Sequence, residues 1–166
     1  MIKVGDTLPN ATLMEYSDVE AEGCSIGPNP VDVAKASAGK TIALFALPGA
    51  FTPTCSAKHL PGFVEKADAL KAKGIDVIAC TAVNDAFVMG AWGKASGVED
   101  KVTMLADGNG DFVKAVGLEM DGSKFGMGAR GQRFAMIVND GKVEHLFVEA
   151  PGEFRVSSAE YMLEQL

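Results

Sequence analysis

Two short runs, TIALFALP from Thr41 and IDVIACTAV from Ile75, are almost entirely apolar, so a strand built from either has both faces to bury. Strands of that kind belong at the centre of a sheet covered on both sides. Between them Leu60, Phe63, Ala67 and Leu70 recur at three- and four-residue spacing, and Gly74 stands where a helix wants its C′ residue. The spacing predicts a helix from about Thr54 to Lys73, kinked at Pro61, whose ring removes a backbone donor. Strand, helix, strand in that order implies a right-handed parallel crossover.

The alternation continues. The first third reads as irregular apart from a strand candidate at Ala11 to Tyr16. A helix from about Asp85 to Ala95 has Asn84 or Asp85 as its cap, a short strand VTML starts at Val102, and a further helix lies near Asp111 to Val116. The Asp140-Gly141 pair between FAMIV from Phe134 and VEHLFV from Val143 predicts a tight antiparallel hairpin, because both central positions of a primed turn need positive φ. Ser157, with Glu160 three residues on, reads as a capping box for a short terminal helix. A parallel βαβ unit, then an antiparallel hairpin and a closing helix, is the order of a thioredoxin-like α/β fold: a central mixed β-sheet flanked by helices. With 166 residues, no internal repeat and no linker, residues 1–166 are expected to form a single domain.

Charge and cysteine usage narrow the function. The net charge of −7 and pI near 4.8 argue against a nucleic-acid partner, since phosphates need clustered Lys and Arg. No run reaches the length of a membrane span, and MIKVGDTLPN lacks the basic-then-apolar pattern of a signal peptide, so a cytoplasmic location and no membrane partner are expected. Cys24, Cys55 and Cys80 are the three cysteines, with no C-x-x-C or C-x-x-H pair, which speaks against a disulfide framework and a metal site.

The densest chemistry is in PGAFTPTC, from Pro48 to Cys55, joining the first central strand to the following helix. Ligand sites of open α/β sheets favour that strand edge. A cysteine in the first turn of a helix faces free N–H groups and the positive end of the dipole, which favour its thiolate. Thr52 can direct a hydroxyl at the sulfur or at a bound oxygen. Pro48 and Pro53 stiffen the loop. The alternative for Cys55 is a buried, inert thiol; Cys80, inside an apolar strand, reads more readily as a small core residue, and Cys24 as an exposed loop thiol. Only three of the 15 basic residues are Arg, at positions 130, 133 and 155. Arg133, opening the strand FAMIV, can offer a fixed fork of donors to an anionic sulfur or a bound oxygen; otherwise it is a surface ion pair. His59, four residues after Cys55, allows a Cys-His pair along one helix face or merely caps a pocket rim.

Pro48, Thr52 and Cys55 reproduce P-x-x-x-T-x-x-C, and the longer string PGAFTPTCSAKHLPGF resembles the type II branch of the peroxiredoxins, close to the atypical two-cysteine animal members. VNDAFVMGAWGKA from Val83, RFAMIVNDGKV from Arg133 and VSSAEYML from Val156 extend the resemblance over almost the whole chain. It implies a thiol-dependent peroxidase for hydrogen peroxide and organic hydroperoxides, with Cys55 as peroxidatic cysteine, Thr52 and Arg133 orienting and polarising the O–O bond, and Pro48 shielding the site. Gly49, Phe51, His59 and Phe125 match positions lining the substrate pocket. Cys80 matches the second cysteine of plant members, a conditional resolving residue; no cysteine follows it, so the C-terminal resolving route of animal members is closed. The resemblance further implies no metal or other cofactor, recycling by glutathione with glutaredoxin or by thioredoxin, and a homodimer whose contact face carries GAWGKASG around Trp92. A thiol-disulfide oxidoreductase or a peroxide sensor on the same fold is the alternative.

Overall fold

A computed structural model describes residues 1–21 and 23–166. The two apolar runs become adjacent parallel strands, β3 (Thr41–Ala46) and β4 (Val77–Ala82), with Phe45 in register with Cys80. β5 (Thr103–Ala106) continues the parallel set beside β4. β8 (Phe134–Asn139) lies antiparallel on the other side of β3 and turns back into β9 (Lys142–Val148). At that turn Asp140 has φ 49° and Gly141 φ 79°, the positive values the primed hairpin requires. An N-terminal hairpin, β1 (Thr12–Ser17) and β2 (Gly27–Asp32), completes the sheet, whose strand order is β2-β1-β5-β4-β3-β8-β9. A separate ribbon pairs β6 (Glu119–Asp121) with β7 (Ala129–Gly131).

The strand residues alternate between two cores. Phe45, Leu47, Ile78, Cys80, Ala135 and Ile137 face α2 (Leu60–Glu65), α3 (Ala67–Ala72), α4 (Ala86–Ala95) and α6 (Ala159–Glu164). Leu44, Ala46, Ala79, Phe134, Met136 and Val138 face the second layer, where α5 (Asp111–Val116) contributes Phe112 and Val116 and α1 (Val33–Ser37) contributes Val33. Both faces of β3, β4 and β8 are thus covered, as continuous apolar runs demand.

The helix after β3 begins at Pro53 and is wound as a π turn over Cys55–His59, where the Leu60 N–H reaches the Cys55 carbonyl five residues back. Pro61 supplies no N–H to the next rung, so the expected kink appears as this wider turn just ahead of the proline. A second break at Lys66 separates α2 from α3. Asp85 caps α4, its carboxylate accepting the Val88 N–H at 2.8 Å, while Asn84 turns its side-chain oxygen to the Ala50 N–H at 2.9 Å. The terminal helix corrects the capping-box expectation. Its cap is Ser158, which accepts the Tyr161 N–H at 3.1 Å, because Ser157 is buried and its hydroxyl is bound to Glu149.

Candidate active site

Pro48 lies two residues past the end of β3, Phe51 takes φ 64°, and the chain enters the helix at Pro53, which sets Cys55 in the first turn with its side chain fully buried. Arg133, immediately before β8, extends from the neighbouring strand and donates from Nη2 to the Cys55 Sγ at 3.1 Å. Its Nη1 meets His59 Nδ1 at 2.7 Å, and His59 Nε2 meets the Ser157 carbonyl at 2.9 Å. Since guanidinium only donates and a carbonyl only accepts, the ring must be the neutral tautomer with its proton on Nε2. Burial, reinforced by the Arg133 charge and only partly opposed by the Ser157 carbonyl, pulls the His59 pKa down to about 3. Phe45 and Phe154 hold the ring, with centroids 4.9 and 5.0 Å away, and Phe154 also lies 5.7 Å beneath the Arg133 guanidinium.

Among the described residues no carboxylate lies within ion-pair distance of Arg133. Its two acceptors are a neutral nitrogen and the cysteine sulfur, so the guanidinium charge is directed at the sulfur and at whatever binds beside it. Arg130, by contrast, grips backbone: Nε donates to Met127 O at 2.9 Å, and Nη1 donates to Val83 O at 3.1 Å and Pro48 O at 3.5 Å. It ties the cysteine loop to the end of β4 and to the β6-β7 ribbon. The sequence signal for Arg130 is only its place beside Arg133 in a glycine-bearing stretch, which points to no task for it. Gly49 packs against this clamp, since a Cβ there would stand 3.1 Å from Arg130 Nη1 and 3.3 Å from Thr52 Cγ2.

Several expected contacts are arranged differently. The Thr52 hydroxyl donates to the Gly49 carbonyl at 2.7 Å, so it offers lone pairs to a ligand and not a proton to the sulfur. His59 pairs with Arg133, not Cys55, and is fully buried behind the guanidinium, so it is no pocket wall. A cleft of about 610 Å³ opens beside Arg133, walled by Pro48, Thr54, Lys58, Met120 and the 149–154 loop. Phe51 and Phe125 are not among its walls: Phe125, 77% exposed, tops a 3-10 turn, and Phe51, 57% exposed, leans towards Trp92. Trp92 itself is core, donating its indole N–H to Ser56 Oγ at 3.0 Å and bracing the cysteine helix. Cys80 is a free, buried thiol in β4, and burial, followed by the nearby Cys55 sulfur, pushes its pKa up. Cys24 is a free, exposed thiol.

Residues 3–163 match the Redoxin family. The chain is 51% identical to Peroxiredoxin-2E, chloroplastic, of Arabidopsis thaliana over 99% of this chain and 69% of that protein, and 46% identical to Arabidopsis Peroxiredoxin-2B over 99% and 98%. The chain belongs to the peroxiredoxins. The crystal structure of reduced Prx3 in complex with hydrogen peroxide from Vibrio vulnificus superposes with a TM-score of 0.91 at 53% identity, covering 99% of each chain. This peroxiredoxin is therefore a type II member on the thioredoxin-like fold. It is a thiol-dependent peroxidase, with a peroxide as substrate and a thiol as reductant.

Proposed function

We propose that Cys55 is the nucleophile of this peroxidase and Arg133 its principal electrostatic partner. The observation that carries the reading is the Arg133 Nη2 to Cys55 Sγ contact at 3.1 Å, made by a guanidinium that has no carboxylate partner among the described residues. The thiolate forms an S–O bond to the terminal oxygen of ROOH as the O–O bond breaks. The electron pair of that bond leaves on RO⁻, which takes up a proton to give ROH, and the sulfur, oxidised by two electrons, becomes the sulfenic acid. Charge moves from sulfur to oxygen within reach of Arg133, so the same donors are strongest where charge develops. The lone pairs of Thr52 accept the peroxide O–H and orient it, while Pro48 covers the loop side. Arg133→Lys is expected to lose most of the peroxide rate, about 10²-fold or more for loss of a fixed donor, while Cys55 remains open to alkylation. A near-wild-type rate would sink the assignment.

Both hydrogen peroxide and organic hydroperoxides are substrates in this reading, the cleft beside Arg133 being open enough for an organic tail. Electrons come from an external thiol, glutathione with glutaredoxin or thioredoxin, and no bound cofactor takes part. One thiol condenses with the sulfenic acid, releasing water and leaving a mixed disulfide; a second thiol displaces Cys55. The burial of Cys80 in β4, opposite Phe45, supports an optional role for it, since a bond to Cys55 would require the cysteine helix to unwind. Mass spectrometry of peroxide-treated protein with glutathione should show the Cys55 mixed disulfide; a dominant Cys55–Cys80 bond would contradict this. The exposed thiol of Cys24 suits a reducing cytosol, and the exposed aromatics Phe87, on α4, and Phe51, which leans towards Trp92 of that helix, suit the contact face of a homodimer.

A further inference from the structure

Glu149 follows β9, and its N–H donates to the Arg133 carbonyl at 3.0 Å. The β8-β9 register, Phe134 against Val148, puts Arg133 and Glu149 directly opposite each other. Opposite charges directly across a strand pair attract, so an Arg133–Glu149 ion pair would be the simple expectation. None forms here. Glu149 is only 6% exposed, its carboxylate lies beyond ion-pair distance of Arg133, and a single oxygen, Oε2, accepts four hydrogen bonds: from the N–H groups of Arg155 at 2.8 Å, Val156 at 2.9 Å and Ser157 at 2.8 Å, and from the Ser157 hydroxyl at 2.6 Å. Burial opposes its ionisation, but the Ser157 hydroxyl and the three N–H groups prevail and hold its pKa below the ordinary value.

The segment so anchored builds the back of the site. Its Ser157 carbonyl accepts from His59, and its Phe154 ring lies against both His59 and Arg133. A chain of contacts therefore runs from the Glu149 carboxylate through Ser157 and His59 to the Arg133 fork and on to the Cys55 sulfur. We infer that Glu149 is a positioning residue of the peroxidase: it fixes the Arg133 fork through Ser157, His59 and Phe154, and it withholds its own negative charge from the guanidinium standing opposite. This rests on the assignment of Arg133 and Cys55 given above.

The test compares a change of reach with a change of charge. Glu149→Gln keeps the length and an acceptor oxygen, whereas Glu149→Asp keeps the charge but falls one methylene short of the 155–157 donors and leaves a carboxylate facing Arg133. Oxidation of Cys55 by hydrogen peroxide is followed in a single turnover, on protein whose near-ultraviolet spectrum shows native packing. Glu149→Gln is expected to lose about threefold and Glu149→Asp about 10²-fold, the scale of a misplaced reacting group. In an Arg133→Lys background the further loss from Glu149→Asp should disappear, because the effect acts through Arg133; a purely structural role would persist there. A Glu149→Asp rate equal to or above that of Glu149→Gln, or an undiminished loss in the Arg133→Lys background, overturns the inference. Should Glu149→Asp not fold, Ser157→Ala serves, keeping charge and reach but removing the 2.6 Å contact; about a tenfold loss is expected for displacing the fork part-way, and a wild-type rate overturns the inference. A wild-type rate in Arg133→Lys alone would instead overturn the underlying assignment.

Discussion

Between neutral pH and about pH 5, above the range in which carboxylates protonate, acid should weaken this peroxiredoxin through His59. In the folded chain His59 stays neutral down to about pH 3, while in the unfolded chain it binds a proton below its ordinary value of 6.5. Unfolding therefore takes up a proton throughout that window, and stability falls as pH falls through it. A separation of about 3.5 pH units at 1.36 kcal/mol each makes the full loss on the order of 5 kcal/mol, of which about 2 kcal/mol is reached by pH 5. Against a total domain stability of about 5–15 kcal/mol that is a large share. The geometry explains the size. A proton on Nδ1 would turn the acceptor that faces Arg133 Nη1 at 2.7 Å into a donor and set two cations against each other inside a closed aromatic shell. The control is His59→Gln, whose amide can accept from Arg133 and donate to the Ser157 carbonyl but cannot titrate. Urea unfolding of both proteins under reducing conditions, at intervals from neutral pH to about pH 5, measures the difference directly. Carboxylates titrate alike in the two proteins, so the wild type should lose about 2 kcal/mol more than the variant over this range. Parallel stability curves would refute the placement of a neutral His59 behind Arg133.

Arg130→Met should keep the fold but release three carbonyls from the clamp at the end of β4; hydrogen exchange over residues 48–54 should quicken, and peroxide oxidation of Cys55 should slow about tenfold, as expected for a loop that no longer holds its reacting group still. Asp107→Ala should cost about 1–2 kcal/mol by denaturant unfolding, because the Asp107 carboxylate accepts the Phe112 and Val113 N–H groups at 3.0 Å each and so caps α5 from inside the protein. The same carboxyl has its pKa raised by burial, which outweighs those two hydrogen bonds.

How much of this is legible in the sequence depends on the range over which each feature is decided. β3, β4 and the helix between them are written in local apolar patterns, and the turn at Asp140-Gly141 in a dipeptide, so their positions could be read within a residue or two. β2 was not read, because Pro28 and Pro30 argue against a strand; at the outer edge of the sheet, paired with Tyr16 and Met14 on one side only, the missing N–H groups are tolerated. Ser157 looked like a helix cap because a serine followed by Glu160 satisfies the local rule, and it lost that role to a carboxylate eight residues earlier. His59 looked like a partner for Cys55 because i and i+4 coincide on an α-helix. The π turn ahead of Pro61 returns to Cys55 at position 60 instead, which leaves the imidazole free to turn to Arg133. The candidate residues Cys55, Thr52, Arg133 and Pro48 could be named from a loop motif and one strand start. What arranges the guanidinium could not, since its contacts join residues 78 positions apart for Arg133 and Cys55, 74 for Arg133 and His59, and 98 for His59 and Ser157. Periodicity and turn chemistry act over a few residues, and only the packing of β8, β9 and the cysteine helix onto one another decides which nitrogen faces which acceptor.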